Sequence, residues 1–253
     1  MQNIVPFSSY TVSKCDHCDM VYASDIVEVI PLNEYYSNLS KYETNAYFLS
    51  TAGKDANEKS ISFLKSYISE DDDILEIGCG TGNFLYQLRN QGYKKLTGIE
   101  PSEKNVAGII ERWNIQCYVG SIENTIPEIQ DNKYRLVILE CVLEHILDLE
   151  GAISQIKNYI EKDGYLFLEL PDITNWGKIV DLYQQFSVEH VNYFSFQSIN
   201  NLLGIHGFRC VKYEIAEFGC SYSLWQYDNI KRNWTYANDG DATLDIYMKI
   251  QNP

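Results

Sequence analysis

LEIGCGTGNF, residues 75–84, is the stretch that decides how this 253-residue sequence folds. Gly78, Gly80 and Gly82 stand at alternate positions, directly after an apolar run that ends at Ile77. Glycine adopts positive φ angles at no steric cost and lets a ligand approach the backbone closely. The following stretch, NFLYQLRNQG, has the spacing of a helix that ends at Gly92. The pattern predicts a strand, a bare turn and a helix, with room for a ligand at the turn.

Short apolar strands and helices alternate from this loop to the end of the chain. The predicted strands are DILEIG (73–78), KLTGIE (95–100), IQCYVG (115–120), YRLVILE (134–140) and YLFLELP (165–171), followed by CVKYEIAEF (210–218) and TLDIYMKI (243–250). The predicted helices cover 83–92, 102–113, 151–164 and 195–208. Such alternation predicts an α/β fold with a doubly wound parallel sheet. Ligands of such sheets bind at the carboxyl ends of the strands.

Three regions are predicted along the chain. Residues 1–33 read as an irregular segment that carries Cys15 and Cys18. Residues 34–70 are rich in tyrosine and then acquire helical spacing, which predicts a helical lid. Residues 71–253 form the main domain.

Composition argues against several classes of function. The formal charge of −15 repels a phosphate backbone, and the longest basic runs are dipeptides, so we expect no nucleic-acid partner. No apolar run reaches the roughly 18 residues of a membrane span. The first ten residues lack the features of a signal peptide, and the seven cysteines are scattered. We therefore expect reduced thiols and a cytoplasmic protein.

The glycine pattern and a distant acid together indicate the cofactor class. Dinucleotide-binding proteins prefer G-x-G-x-x-G, but position 83 is asparagine here. Glu100 ends the second predicted strand, where a carboxylate can accept both ribose hydroxyls of a nucleoside. Dinucleotide and adenosyl cofactors share that contact. A nicotinamide enzyme and a non-catalytic Rossmann-like domain are the alternatives.

Four stretches resemble, in order, the motifs of class I S-adenosylmethionine-dependent methyltransferases: ILEIGCGTGNFL, GIEPS, YRLVILECVLEHILD and KDGYLFLELPD. The resemblance covers about residues 60 to 215. It implies a Rossmann-like methyltransferase sheet, mostly parallel with its last strand antiparallel, a small N-terminal extension, and S-adenosyl-L-methionine as cofactor. It implies the following contacts: Glu76, Gly78 and Gly80 at the methionine end, Glu100 at the ribose, Ser121 and Ile122 at the adenine, Glu140 and Cys141 near the sulfonium, with Cys79, Gly82 and Pro101 beside them.

EHVNYFS, residues 189–195, resembles an E-H-x-x-Y-F-S element of bacterial methyltransferases that act on sugar nucleotides and surface-polysaccharide precursors. Methyl transfer needs an aligned acceptor and removal of its proton, and histidine suits the second task. The resemblance implies that Glu189 and His190 are catalytic and that Tyr193 lies near the acceptor. The alternative is that the pair caps the next helix. Ser187 stands where the sugar C-methyltransferases have a tyrosine.

Three further residues are predicted at the acceptor pocket. His145, in VLEHI, is predicted as a wall of the pocket rather than a base. Tyr35 and Tyr36 offer flat faces and hydroxyls to a sugar or base, as do Tyr42 and Tyr47, although each tyrosine could instead pack the segment onto the sheet.

The N-terminal Cys15-Asp-His-Cys18 resembles half of the zinc-ribbon segment that precedes several of these methyltransferases. Structural zinc needs four ligands, and no cysteine precedes Cys15. His17, an aspartate or a second subunit could complete the site. We expect a remnant that binds no metal.

The resulting hypothesis is an enzyme that methylates an oxygen of a small polar acceptor. The favoured acceptor is a nucleotide-linked or phosphorylated sugar-type precursor of a bacterial capsule or surface polysaccharide. Carbon methylation of a nucleotide-linked ketosugar is the alternative. It is disfavoured by Ser187 and by the absence of the further C-terminal domain that the sugar C-methyltransferases carry. A methyltransferase-like binding subunit is a third hypothesis, and the chain is expected to be a monomer or homodimer.

Overall fold

The computed structural model describes residues 7–38, 51–124, 126–178, 186, 189–216 and 219–251. Strands β1 to β10 are Phe7–Lys14, Val21–Glu28, Asp73–Ile77, Lys95–Glu100, Gln116–Val119, Tyr134–Glu140, Ile160–Pro171, Asn192–Tyr193, Phe208–Ile215 and Cys220–Tyr227. Helices α1 to α7 are Leu32–Asn38, Thr51–Leu64, Asn83–Asn90, Glu103–Trp113, Leu149–Tyr159, Phe196–Ile205 and Gly240–Gln251. Short 3₁₀ turns cover Pro127–Ile129, Leu143–His145 and Ile173–Lys178.

Seven strands form a sheet in the order β5-β4-β3-β6-β7-β10-β9. β3 pairs in parallel with β4 and with β6, and β4 pairs in parallel with β5. β10 pairs with β9 antiparallel. The prediction of a mostly parallel Rossmann-like sheet with an antiparallel last strand is confirmed.

Residues 32–140 and 150–167 form one compact unit. It contains β3 to β6 and the first part of β7, and its strands are buried because their side chains are apolar on both faces. The core of this unit includes Ile74, Leu75, Leu85, Ile99, Ile109, Leu136, Val137, Ile138, Ile153 and Phe167. Gly98 on β4 has no room for a side chain, since a Cβ there would lie 2.8 Å from Cys79 Sγ and 3.0 Å from Cys117 Sγ.

Residues 1–31, 141–149 and 168–253 are the second compact unit, where the structure describes them. It contains the end of β7, β9, β10 and a three-stranded sheet of order β1-β2-β8. β1 and β2 form an antiparallel hairpin, and β8 joins it where Val21 pairs with Tyr193. Val21, Ile173 and Tyr193 are the buried centre of this sheet, and Phe186 and Leu244 pack against them.

The turn between β1 and β2 is held by Asp19, whose side chain is buried. The Asp19 carboxylate accepts hydrogen bonds from the Tyr236 hydroxyl at 2.7 Å and from the Gly240 N–H at 2.8 Å, and Lys14 lies 3.2 Å away. Burial raises the pKa of Asp19, but these three donors outweigh burial and hold the pKa below its usual value. Residues predicted to be irregular therefore form a regular hairpin, anchored to the start of α7.

Two of the predicted elements were wrong, and one strand was missed. TLDIYMKI forms most of α7 instead of a strand, and Leu244 and Tyr247 on that helix face the aromatic cluster that contains Phe186. β10 was not predicted. The predicted helix 151–164 ends at Tyr159, because β7 begins directly at Ile160, and Asp163 within that strand has the non-helical φ of 62°.

No helix within the described residues combines the length and the apolar character needed to cross a lipid bilayer.

Candidate functional site

The loop between β3 and α3 has left-handed backbone at all three of its glycines, with φ 75° at Gly78, 54° at Gly80 and 76° at Gly82. A Cβ on Gly82 would lie 2.7 Å from Ile109 and 2.8 Å from Trp113, so this glycine lets α4 pack closely. A Cβ on Gly80 would meet nothing within 4 Å. Open space beside a left-handed glycine is what a ligand-binding loop requires. Gly80 therefore marks the ligand side of the loop.

Glu100 is fixed by the same loop. Its Oε2 accepts a hydrogen bond from the Gly80 N–H at 2.9 Å, and its Oε1 accepts one from the Ser102 N–H at 3.1 Å. The Asn105 Nδ2 group also donates to Oε1, at 3.5 Å. A carboxylate has about four acceptor positions, so these bonds leave capacity for a hydroxyl donor. The acid predicted at the ribose is thus buried, oriented and bonded to the glycine predicted at the methionine end.

Glu76 supplies a second carboxylate, at the end of β3. The residue is 3% exposed, and its Oε2 has no hydrogen-bond partner among the described residues. Burial, Cys117 and Glu100 together raise the pKa of Glu76 well above its ordinary value. A ligand that brings a cationic or N–H donor group would relieve this cost. An orphaned carboxylate oxygen, an open glycine and an oriented ribose acceptor fit S-adenosylmethionine.

The remaining predicted cofactor residues lie in the same unit, except Cys141. The Cys79 thiol is buried and lies 3.8 Å from the Cys117 sulfur, so only the Cys79 backbone is left to contact a ligand. Ser121 Oγ accepts hydrogen bonds from the turn that follows β5, and Ile122 is buried there. Pro101 directly follows β4, and Glu140 is the last residue of β6.

In the second unit, residues 143–146 are joined to residues 189–192 by at least four hydrogen bonds among the residues that the structure describes. The Val191 N–H donates to Glu144 O at 2.7 Å, and His145 Nδ1 lies 2.8 Å from Glu189 O. Asn192 Nδ2 donates to Leu143 O at 3.1 Å and to Ile146 O at 2.6 Å. These bonds hold the predicted catalytic segment in place.

Two histidines meet at this junction. The rings of His145 and His190 lie edge to face with centroids 4.9 Å apart. A carbonyl oxygen accepts hydrogen bonds only, so His145 donates from Nδ1 to Glu189 O, and its neutral form carries a lone pair on Nε2. That Nε2 lies 3.8 Å from Glu144 Oε1. His145 can therefore accept a proton at Nε2.

Glu144 is a buried acid at the same junction. It is 1% exposed, and neither carboxylate oxygen accepts a hydrogen bond of normal geometry from a described residue. Burial, aided by the neighbouring Glu169, raises the pKa of Glu144 to about 8, against weaker lowering contributions from its own backbone and Cys141. Such a group is neutral unless a cation or a donor faces it.

The predicted acceptor residues are only partly brought together. Glu189, His190 and His145 converge, whereas Tyr193 is 1% exposed and lies in the apolar cluster beneath the hairpin. Tyr35 and Tyr36 are on α1 in the other unit, with Tyr35 buried and their rings 5.1 Å apart. Tyr42, Tyr47 and Ser187 lie outside the described residues.

Sequence reasoning missed Glu144 and Asn192. A signal for Glu144 was present, since Glu144-His145 repeats the Glu-His pair at Glu189-His190. No local signal identifies Asn192 as the residue that bonds two carbonyl groups of a distant turn.

Cys15 and Cys18 lie in the β1–β2 turn. Backbone N–H groups of Cys18 and His17 help to lower the pKa of Cys15, and burial raises the pKa of Cys18. Within the part of the chain that the structure describes, neither thiol belongs to a group of three candidate metal ligands.

Comparison with known proteins identifies a family. The sequence model of the family described as "Methyltransferase domain" matches residues 49–213. The crystal structure of magnesium protoporphyrin IX methyltransferase from Synechocystis PCC 6803, with bound SAH, has a TM-score of 0.59 and 15% identity. The alignment covers 77% of this chain and 97% of that chain, and it shows a shared fold.

The curated relatives are longer than this chain, and less than half of each aligns with it. C-methyltransferase NovU from Streptomyces niveus is 25% identical over 153 residues, which are 59% of this chain and 36% of that protein. A tRNA U34 carboxymethyltransferase from Histophilus somni (strain 129Pt) is 27% identical over 155 residues, which are 56% of this chain and 47% of that protein. The chain thus spans less than half the length of each of these relatives.

Proposed function

The chain belongs to the methyltransferase-domain family, and we propose that it transfers a methyl group from S-adenosylmethionine to an oxygen of a small, sugar-type acceptor. The favoured acceptor is a nucleotide-linked or phosphorylated precursor of a bacterial surface polysaccharide. The observation that carries the proposal is the cofactor-fitting set of Gly80, Glu100 and Glu76.

Bound S-adenosylmethionine supplies an electrophilic methyl group on a good leaving group. Gly80 leaves room for the ligand beside the backbone, and Glu100, held by the Gly80 and Ser102 N–H groups, would accept the ribose hydroxyls. Glu76, whose Oε2 has no hydrogen-bond partner among the described residues, would accept the ammonium hydrogens of the methionine end. Ser121 and Ile122 would contact the adenine.

The chain itself must supply a base for the acceptor hydroxyl. His190 takes this role, because it is half-buried and is held beside His145 by the bonds between residues 143–146 and 189–192. Glu189 is a positioning residue in this scheme, since its carbonyl fixes the tautomer of His145. General bases of this kind contribute about 10²–10⁴ in rate.

A small acceptor is supported by charge. At −15 the chain repels polyanions, which disfavours a tRNA acceptor like that of the carboxymethyltransferase relative. The sugar-type assignment comes from the EHVNYFS segment.

Carbon methylation is the second candidate, and the likeness to C-methyltransferase NovU favours it. The two candidates differ in which acceptor proton is removed. Only carbon methylation requires loss of a C–H proton.

The test is a transfer assay with S-adenosylmethionine and a panel of nucleotide sugars and phosphorylated polyols, run in deuterated water and read by mass spectrometry. Wild type is compared with His190→Gln, and His17→Gln is the matched control because His17 is exposed in the hairpin turn. We expect an O-methylated product without carbon-bound deuterium, an activity about 10²-fold or more lower in His190→Gln, and no change in His17→Gln.

Deuterium at an acceptor carbon would contradict oxygen methylation and support carbon methylation. Full activity in His190→Gln would remove His190 as the base. No product across the panel, with S-adenosylhomocysteine still bound, would remove the sugar-type acceptor.

A further inference from the structure

A second group of reactive side chains lies at the ends of three neighbouring strands. Cys141 directly follows β6, Glu169 is on β7, and Cys220 begins β10. Their Sγ and carboxylate oxygen atoms all lie within 4.8 Å of one another. All three residues belong to the second compact unit.

Backbone geometry fixes this group. Cys141 has φ 52°, a left-handed conformation that is unfavourable for a residue with a side chain. Its N–H donates to Glu169 O at 2.9 Å, which joins the end of β6 to β7. The strained conformation sets the direction in which the Cys141 side chain leaves the chain, and its thiol interacts with Cys220.

A fourth donor lies beside the group. Glu144 interacts with Cys141 and with Glu169, and both of its buried carboxylate oxygens lack a hydrogen-bond partner of normal geometry among the described residues. Buried carboxylates are normally paired or bind a metal. Apart from His145 Nε2 at 3.8 Å, no described group of normal hydrogen-bond reach compensates the burial of this acid, and a bound cation would do so.

The donor set determines the type of cation. Thiolates select soft or borderline metals, and zinc accepts sulfur and carboxylate oxygen in tetrahedral geometry. Zn–S bonds of about 2.3 Å and Zn–O bonds of about 2.0–2.2 Å place neighbouring tetrahedral ligand atoms about 3.3–3.8 Å apart. Separations of at most 4.8 Å reach that geometry after movements of about 1 Å, which side-chain rotations provide.

We propose that Cys141, Cys220 and Glu169 bind a zinc ion, with Glu144 as the fourth ligand. Two thiolates and two carboxylates form a closed tetrahedral set that fastens the ends of β6, β7 and β10 to one another. The site is separate from the Cys15-Cys18 remnant, whereas its fourth ligand borders the His145–His190 pair, since Glu144 Oε1 lies 3.8 Å from His145 Nε2. Cys141 is also the residue that the family resemblance places near the sulfonium, but the observations that support the zinc site do not rest on the proposed methyl transfer.

Cobalt is the probe, because tetrahedral Co²⁺ absorbs visible light and its bond to thiolate adds a charge-transfer band. The full chain is titrated with Co²⁺ in the absence of air, with a reductant that contains no thiol. Cys15→Ser and Cys18→Ser are introduced first, so that the hairpin thiols give no signal. We expect one Co²⁺ per chain, the thiolate band, and displacement of Co²⁺ by zinc.

Cys220→Ser removes one thiolate and Glu169→Gln removes one carboxylate, each in that background. Each is expected to weaken Co²⁺ binding by about tenfold or more, and Cys220→Ser is expected to lose about half of the charge-transfer intensity. Cys210→Ser is the matched control, since Cys210 is also half-buried in this unit but its thiol donates to Lys212 O at 3.5 Å.

Absence of a thiolate band in the Cys15→Ser/Cys18→Ser background would overturn the proposal. Equal weakening by Cys210→Ser and Cys220→Ser would overturn it as well. Circular dichroism establishes that each variant folds, and Glu169→Gln still tests the site if Cys220→Ser does not fold. S-adenosylhomocysteine binding is measured separately in Cys220→Ser and Glu169→Gln, because neither changed residue is a predicted cofactor contact, and it reports whether the cofactor site is intact.

Discussion

Gly80 and Gly82 both have positive φ angles, but they differ in what surrounds them. Beside Gly80 the space is open, whereas Gly82 faces Ile109 and Trp113 at less than 3 Å from the position of a Cβ. At the scale of single residues, ligand space and packing space therefore alternate within one loop. Both positions are glycine, so the sequence alone does not distinguish these two roles.

This difference predicts that alanine at Gly80 mainly weakens ligand binding, whereas alanine at Gly82 mainly lowers stability. Gly80→Ala adds a methyl group to the ligand side, so we expect S-adenosylhomocysteine binding to weaken at least about tenfold, with a stability loss limited to the φ penalty of about 1 kcal/mol. Gly82→Ala adds a clash with α4, so its unfolding free energy should fall by more, about 2–4 kcal/mol. Calorimetric titration and thermal melts separate the two effects. Equal losses of binding and stability in both variants would contradict the assignment of Gly80 to the ligand.

At the scale of elements, residues 143–146 and residues 189–192 act as one piece. They are far apart in the chain and share at least four hydrogen bonds among the described residues, two of which come from Asn192. The Glu-His pairs at 144–145 and 189–190 are brought together by these bonds rather than by either segment alone.

Asn192→Ala should loosen this junction. Loss of two buried hydrogen bonds is expected to cost about 1–3 kcal/mol, and the N–H of Val191 should exchange with deuterium faster, because that N–H is bonded to Glu144 O. Asn201→Ala is the control, since buried Asn201 also exchanges two hydrogen bonds, in its case with Thr235. Mass-spectrometric hydrogen exchange over residues 189–195 decides the matter. Unchanged exchange there in Asn192→Ala would show that Asn192 does not hold the segment.

At the scale of the whole molecule, the identity of the cofactor can be tested by how much each ligand raises the free energy of unfolding. A ligand that binds only the native state at 100 times its Kd adds about 2.7 kcal/mol, which corresponds to a rise in Tm of roughly 5–10 °C for a chain of this size. We expect that rise with S-adenosylhomocysteine and none with NAD, since Asn83 replaces the last glycine position of a dinucleotide loop. Differential scanning calorimetry with both ligands at equal concentration measures it. A larger rise with NAD would contradict the cofactor assignment.

Local patterns predicted much of this fold. β3 to β6, α3, α4 and α6 were recognised because each carries an apolar period and a glycine, serine or proline boundary that acts over a few residues. TLDIYMKI was wrong because eight residues satisfy both a strand period and a helix period. Its helical state is supported by Leu244, which packs against the cluster that contains Val21 of the β1–β2 hairpin. It is also supported by the hydrogen bond that the Gly240 N–H donates to Asp19.

By itself, the sequence determined strands β3 to β6, the glycine loop, the acid at the end of β4 and the family, because these depend on backbone conformation and on order along the chain. Only the tertiary structure decided that Glu144 is buried beside His145 and His190, that Tyr193 is core, and that Cys141, Glu169 and Cys220 converge. The physical reason is the separation along the chain over which each signal acts. Strand and helix periods act between near neighbours, whereas a shared site is set by which distant residues the sheet brings within a few ångströms.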